Sequence, residues 1–518
     1  MKKLFFAALM MLSSGIWAQI ELSKDFSYEV SKPYSVVDAR QKYYFSQDGE
    51  ILTVKISGVK TTIQKFKSGS LNFDKVNVSE LPKGTSLEWI AQINKRIYVF
   101  FSLWDKPSET EQMFMSEIDF KKGSFAGKPT VLFKVKGKIA KPFNINTSHD
   151  YSKVVFSYRR KPEVKRDTES YDIIGMYAFN GDMQLEWNQE VKMPYTEAKM
   201  DNLDFSIDSK GNGYILAKVY KGDRPKQKDA NNNPNYDIEV IRIDAGTADI
   251  DQTKIQVKGK FINKIWMYED AKGYMVCAGY YGNGKSAGAD GVFMCKVKND
   301  GEAYDVVSYE IPVSILNEYV SEKGQKKNEK KEAKDEAAFN NLVMRQFVTT
   351  ADGGIILIGE VYYVVTHTTS KGQTTYTYYY EDMLMTKINS KGELEWMKKL
   401  PKKQIGSAGR GGMSFQYIEG ANAHYVLFLD NVKNLTLTKD QYPVAHRDGK
   451  GGFLTGFKVD DESGDVSRVS ILDTRDVKGI EVFQFKVDRI VPLNDKEFAV
   501  EVYKKKKEDV MIKVTLND

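Results

Sequence analysis

Along most of the chain, runs of seven to ten apolar or alternating residues are broken by clusters of Asp, Gly, Asn and Lys. KRIYVFFSLW, SKVVFSYRR, GYILAKVY, GYMVCAGYY, GGIILIGEVYY, AHYVLFLD and KEFAVEVYK are rich in aromatic and β-branched residues, the signature of strands. Each follows a turn-rich segment and is succeeded by a second run: QMFMSEIDF, YDIIGMYAF, YDIEVIRID, GVFMCKVK, EDMLMTKIN, GGFLTGFKV and EDVMIKVTL. KYYFSQDGEILTVKIS near the start reads as an eighth, abbreviated version. Several units add a strand on either side, as in KMDNLDFSID, GYILAKVY, YDIEVIRID and TKIQVKG. Uneven repetition of small antiparallel sheets is the mark of a radial array. The pattern therefore predicts an all-β chain folded as a single closed β-propeller of about eight four-stranded blades, with seven as the alternative. Closing the ring removes exposed sheet edges, so QIELSKDFSYEV is expected to supply the outer strand of the last blade, whose own sequence ends at Asp518.

Two corners carry a tryptophan just past a turn, GDMQLEWNQEV at Trp187 and GELEWMKKL at Trp396. A flat, large side chain there is suited to wedge between neighbouring sheets. The third LEW, ending at Trp89, precedes its hairpin and so belongs to an inner strand. The stretch DGGIILIGEVYY with EDMLMTKINSKGELEWMKKL resembles the repeat of secreted bacterial β-propellers of the Bacteroidetes type, through Asp352, Gly353, Gly354, Asp382, Lys387, Asn389, Gly392 and Trp396. Asp172, Gly181 and Trp187 match part of that pattern, while the other units share only its rhythm. The corner is also similar to the Trp-docking repeat of quinoprotein propellers. The Thr-Gly dipeptide of that repeat is absent, so a quinone is not implied.

The first eighteen residues, MKKLFFAALMMLSSGIWA, combine two lysines, a short apolar run and a small residue before Gln19, the anatomy of a cleavable signal peptide. Residues 19–518 then form the propeller domain, and a periplasmic or secreted location follows. No cysteine stands at the cleavage region to take a lipid, and no later segment is long and apolar enough to span a bilayer. Formal net charge is +6, or 6 − 2 = +4 without Lys2 and Lys3, which argues against nucleic-acid binding through overall charge.

Cys277 and Cys295, the only cysteines, flank a Gly-rich hairpin and are expected to face each other, leaving open a disulfide or a pair of buried free thiols. No metal-ligand spacing, cofactor loop or nucleophile motif is present. Of the four histidines, His149 and His424 read as structural, and His367 and His446 as exposed loop residues.

Loops carry the remaining information. Turns joining strands one and two, and three and four, are short. Those joining two and three are long: RRKPEVKRDTESYD, KGDRPKQKDANNNPNYD, YGNGKSAGAD, VTHTTSKGQTTYTYYYED and DNVKNLTLTKDQYPVAHRDGKGG. Binding residues concentrate on such loops. Candidate contact residues are the basic group Arg159, Arg160, Lys165 and Arg166, and the tyrosines Tyr362, Tyr363, Tyr376, Tyr378, Tyr379 and Tyr380. Tyr376, Tyr378 and Tyr380 alternate onto one side of their strand. The mixed-charge segment 321–339 is expected to be an exposed helix or a disordered insertion between blades. The function read from these features is that of a non-catalytic scaffold, without cofactor, binding a protein or cell-envelope component through its long-loop face. The alternative is a carbohydrate-binding or carbohydrate-active propeller using the central pore, which would require carboxylates converging there.

Overall fold

A computed structural model describes residues 22–161, 168–222, 228–247, 249–257, 259–285, 288–297, 306–407, 413–447, 452–504 and 506–517. The chain is nearly all β and consists of consecutive antiparallel sheets of four main strands, an arrangement consistent with a β-propeller. Taken in chain order, the first sheet is Gln41–Gln47, Glu50–Ser57, Lys60–Phe66 and Phe73–Glu80. The following sheets begin with the strands Ser86–Ile93, Ile139–Thr147, Met200–Ile207, Phe261–Glu269, Leu342–Thr349 and Gln416–Glu419. The eighth combines Ile490–Asn494, Glu497–Lys504 and Glu508–Leu516 with Phe26–Val30 from the opposite end of the chain.

Middle strands are covered on both faces by neighbouring sheets, which is why they read as unbroken apolar runs. Every residue of Met275–Gly282 and of Ala423–Asp430 is buried. Outer strands have one face in water and alternate instead, as Phe73–Glu80 does. Apolar clusters join each sheet to the next. Ile63 meets Ile90 between sheets one and two, Phe100 meets Phe156 between two and three, and Met176 meets Ile215 between three and four. Further clusters join four to five, five to six, six to seven and seven to eight. The last, with Phe66, Ile51, Ala499 and Met511, joins sheet eight back to sheet one.

The first sheet is complete, not abbreviated. Its second and third strands are joined by a two-residue turn containing Gly58, with φ of 61°, so that two strands merge into one run of sequence. Between sheets five and six, the helix Glu322–Glu332 occupies the charged segment and buries none of its residues.

Because the strands are antiparallel, each sheet has one end carrying the turns between strands one and two and between three and four. At this short-turn end, side-chain carboxylates and amides accept backbone N–H groups in the same way repeatedly. Asp208 accepts from Lys210 and Asn212, Asp270 from Lys272 and Tyr274, and Asn389 from Lys391 and Glu393. Glu269 of sheet five accepts the N–H of His149 from sheet three at 3.0 Å and the N–H and hydroxyl of Ser209 from sheet four at 2.8 and 2.7 Å. His149 Nδ1 in turn lies 3.3 Å from the hydroxyl of Thr349 in sheet six. Turns from four successive sheets thus converge at one place.

Candidate functional site

The opposite end of each sheet carries the long connectors, and the two sequence-derived contact groups sit there in very different states. In sheet six the second and third strands, Ile355–Thr368 and Thr374–Ile388, outrun their neighbours. Gln404–Gly406 flanks the third strand only at Tyr378 to Tyr380. Beyond that point, Val365 to Thr368 and Thr374 to Thr377 pair with each other alone among the described residues. A two-stranded ribbon therefore projects from the sheet.

The six tyrosines do not form one platform. Tyr362 pairs with Tyr380 on one face of the ribbon, ring centroids 4.8 Å apart, while Tyr363 stacks on Tyr379 on the other face at 4.6 Å. Tyr380 is buried, with the Arg345 guanidinium over its ring, and burial pushes its hydroxyl up to about 12. Tyr378 is half-buried, and only Tyr376 is largely open to solvent, at 51 %. Val364 on the same face is 40 % exposed. Strand alternation places Tyr376, Tyr378 and Tyr380 on one side, as expected, but the neighbouring Gln404–Gly406 strand covers the inner end of that row.

The basic group is committed internally. Arg159 bonds to both Asp172 and Glu197, and Arg160 to Glu190 with a closest approach of 2.6 Å. Lys165 and Arg166 lie outside the described residues. Around Arg159 is a cavity of about 430 Å³ between the inner strands of sheets three and four, lined also by Asp172, Glu197, Asp201, Asp204 and Asn202. Asn202 donates to Asp172 at 3.0 Å, and the Tyr220 hydroxyl donates to Asp201 at 2.8 Å. Burial raises Glu197 above the ordinary carboxylate range, and the adjacent Asp172 adds to this against the pull of Arg159. Burial also lifts Asp204 to about 6, although the N–H groups of Phe205 and Met267 stabilise its charged form. The polar groups of this cluster can hydrogen-bond a hydroxylated or cationic ligand.

Sequence reading missed these carboxylates because Asp172 lies on Tyr171–Asn180, Glu197 just past Leu185–Thr196, and Asp201 and Asp204 on Met200–Ile207 of the next sheet. A signal was present nonetheless: an Asp stands at the start of the third strand in YDII, YDIE, ADGVF and EDVM, and at the foot of the ribbon within the third strand in EDML. Each anchors the connector end of its sheet. Asp172 holds Arg159, Asp237 holds Lys221 and Lys254, Asp290 accepts the Asn283 N–H, Asp382 binds Lys399, and Asp509 lies 3.8 Å from Lys55.

Trp187 and Trp396 reach across to the next sheet. The indole N–H of Trp187 donates to Gly211 O at 2.9 Å and that of Trp396 to Asp461 O at 3.1 Å. Gly464 passes so close to the Trp396 ring that a Cβ there would lie 2.5 Å from it. Trp89 lies on an inner strand and stacks on Phe100.

Cys277 and Cys295 are cross-strand partners, both buried and both free thiols. Burial, followed by the neighbouring thiol, pushes Cys277 well above the ordinary range. Ellman's reagent is therefore expected to leave the native protein unmodified and to report two thiols after denaturation. Rapid reaction of the native protein would contradict this burial, and a count of zero after denaturation would mean that the two are bonded.

The histidines divide differently from expectation. His424 is buried between Tyr417 Oη at 2.9 Å and Asp461 Oδ1 at 2.8 Å, and His367 is exposed on the ribbon. His446 is not an exposed loop residue: with Arg447 it forms a short parallel strand beside Gln404 and Ile405 that turns its ring inward, leaving the residue 4 % exposed. Among the described residues, no group of three or more metal-binding side chains comes together, and no helix is long and apolar enough to cross a membrane.

No protein-family model matches the chain, and no curated protein matches it in sequence. Among solved structures, it is similar to the WD40 domain of SCAP from fission yeast, at 10% identity and TM-score 0.40, over 96% of this chain and 98% of that one. It is also similar to the polysaccharide lyase Uly1, at 10% identity and TM-score 0.36, over 83% and 90% of the two chains. Prolyl oligopeptidase B from Galerina marginata aligns at 9% identity and TM-score 0.37, over 96% of this chain and 56% of that one.

Proposed function

We propose that the chain is a closed eight-bladed β-propeller, exported through its N-terminal signal, that acts without catalysis of its own as a scaffold for a protein or cell-envelope partner. Closure is supported by the unbroken circuit of apolar clusters, the last of which returns from sheet eight to sheet one. It is supported again by the contact between His149 and Thr349. In a straight stack of sheets about 10 Å apart, sheets three and six would be separated by about 30 Å.

The binding reading is carried by the ribbon of sheet six. Its arms stand clear of other strands at the long-connector end and present Tyr376 and Val364 to solvent. Tyrosine supplies contact area with a polar handle at low entropic cost and is enriched at interface cores. The corrected arrangement narrows the contact to the ribbon tip and removes Tyr380 and Arg159 from it.

A photo-crosslinking amino acid at Tyr376, introduced in the cells that make the protein, is expected to give a discrete adduct. The same probe at Tyr151, equally exposed at 51 % but on the short-turn end, is expected to give none. Equal labelling at both positions, or none at Tyr376, would reject the ribbon as the contact.

A second reading, glycan binding or cleavage at the pore, is favoured by one observation: Asp172, Glu197, Asp201 and Asp204 line a single cavity. Paired carboxylates with raised pKa values are what glycoside chemistry uses. Two of the four are held by Arg159, which suits binding better than proton transfer. Turnover of envelope polysaccharides that is abolished by Asp204→Asn would establish this reading over the scaffold.

A further inference from the structure

At the long-connector end of sheet seven, a cavity of about 400 Å³ is lined by His446, Arg447, Phe453 and Arg475, with Asp430 and Asp473. It is large enough for a monosaccharide-sized ligand. Its unusual member is His446. The residue is 4 % exposed, yet its imidazole makes no hydrogen bond among the described residues, whereas the other buried histidine, His424, has a partner on each ring nitrogen. The ring nitrogens are not sealed from solvent, so a ligand in the cavity can reach them.

The backbone is shaped around this ring. A Cβ on Gly452 would lie 2.9 Å from His446 Cε1 and 3.0 Å from Nδ1, so glycine is what allows the chain to pass beside it. Burial and the nearby Lys402 depress the imidazole to about 4, keeping it neutral and able both to donate and to accept.

The lining carries two arginines, Arg447 and Arg475, and two aspartates, Asp430 and Asp473. Asp430 is already satisfied, by Arg468 at 2.7 Å, Asn434 at 2.7 Å and the N–H of Asn431 at 2.8 Å. Asp473 accepts the N–H of Arg475 at 2.9 Å. Arg447 is exposed and forms no ion pair among the described residues, so its planar fork is available to an oxyanion. The Phe453 ring adds an apolar surface.

We propose that this cavity binds a small acidic sugar, its carboxylate or phosphate on Arg447 and a hydroxyl on the His446 imidazole. The site lies in a different sheet from the ribbon of sheet six, so it stands or falls independently of the scaffold reading.

The full chain would be titrated with glucuronate, glucose 6-phosphate and glucose, following the His446 ring resonances by NMR. These would be assigned by their disappearance in His446→Gln. Saturable shifts with one or both acids and none with glucose are expected, and whichever acid binds identifies the oxyanion. Arg447→Ala, a surface change that leaves the fold intact, is expected to weaken that binding about tenfold, the loss of one charge-assisted contact. Lys371→Ala, on the ribbon of sheet six, is expected to leave it unchanged. The proposal is overturned if neither acid shifts the His446 resonances, if glucose binds as well as the acids, or if Arg447→Ala binds as tightly as the parent.

Discussion

Replacing Glu501 by Leu is expected to destabilise the protein by about 3–5 kcal/mol, the cost of stranding a buried charge whose partner is removed. Glu501 is fully buried at the junction of sheets eight and one. It bonds to the equally buried Lys55 Nζ, and the hydroxyls of Tyr34 and Tyr44 each donate to it at 2.8 Å. Three parts of the chain therefore meet on one carboxylate: the N-terminal segment, the first sheet and the last sheet. Its loss leaves Lys55, among the described residues, with the single ion-pair partner Asp509, at 3.8 Å.

The double variant Glu501→Leu with Lys55→Met is expected to recover much of the loss, since an apolar pair of similar volume avoids the desolvation of both ions. Denaturant unfolding measures both. A single variant within about 1 kcal/mol of the parent, which is the range of an exposed pair, would mean that the cluster does not hold the junction.

The same cluster fixes a pH window. Lys55 and Lys42 overcome burial to hold Glu501 down to about 2, so its contribution is present above its ordinary 4.5 and is lost as pH falls towards 2. Burial and the Glu501 charge lift Asp509 to about 6, so its contribution is present below 3.8 and is lost as pH rises through 6. Together they place the greatest stability of this junction between about 3.8 and 4.5, with a decline from there to about 6. Asp509→Asn is expected to remove the decline on the alkaline side, read as a flatter dependence of the melting temperature between about pH 4 and pH 6.

Deleting residues 22–35 is expected to have a comparable effect, about 5 kcal/mol. The segment contributes five paired residues to the last sheet, from Phe26 opposite Leu516 to Val30 opposite Ile512. It also buries Phe26 edge-on against Tyr425 of sheet seven, and Tyr34 against Phe66 of sheet one. Each such aromatic is worth about 1.5–3 kcal/mol on burial. The Tyr34 bond to Glu501 and the newly exposed edge of Glu508–Leu516 add to the loss.

A synthetic peptide of residues 24–35, added to the shortened protein, is expected to restore stability in proportion to its concentration, because it rebinds the vacant edge. If the shortened protein unfolds at the same denaturant concentration as the parent, the chain ends do not lock the ring. That outcome would undermine the closed propeller while leaving each individual sheet unaffected.

Strand identity was legible in the chain because the two kinds of strand bury different fractions of their surface. GYMVCAGYY and AHYVLFLD are covered on both faces and read as continuous runs, whereas FDKVNVSE has one face in water and alternates. The pairing of Phe26–Val30 with the last strand was also legible, from a unit that lacked its outer member. Local turns were readable at Asp208 and Asn389, where a side chain bonds to backbone only two to four residues away.

The candidate sites were not legible in this way. Nothing in YDII indicates that Asp172 will meet Glu197 and Arg159 in a cavity, because that meeting depends on how two sheets are packed. His446 sits in a polar loop, and its burial arises from a two-residue parallel pairing with Gln404 and Ile405, a contact of some forty residues' separation with no periodic trace. The tyrosines of sheet six were found by composition, but which of them face solvent was decided by a neighbouring strand that covers Tyr380 and stops short of Tyr376.

By itself, then, the sequence determined the strands and their grouping into repeated sheets, while the short second-to-third turns of the first and last sheets departed from the expected long connectors. Strands and grouping are each encoded within a few tens of residues by side-chain periodicity and turn chemistry. Only the tertiary structure decided which charges are spent on one another, as at Arg159, and which loop residue is drawn in to line a cavity, as at His446. Those outcomes depend on distances between sheets, and a one-dimensional pattern carries no information about the spacing of its distant parts.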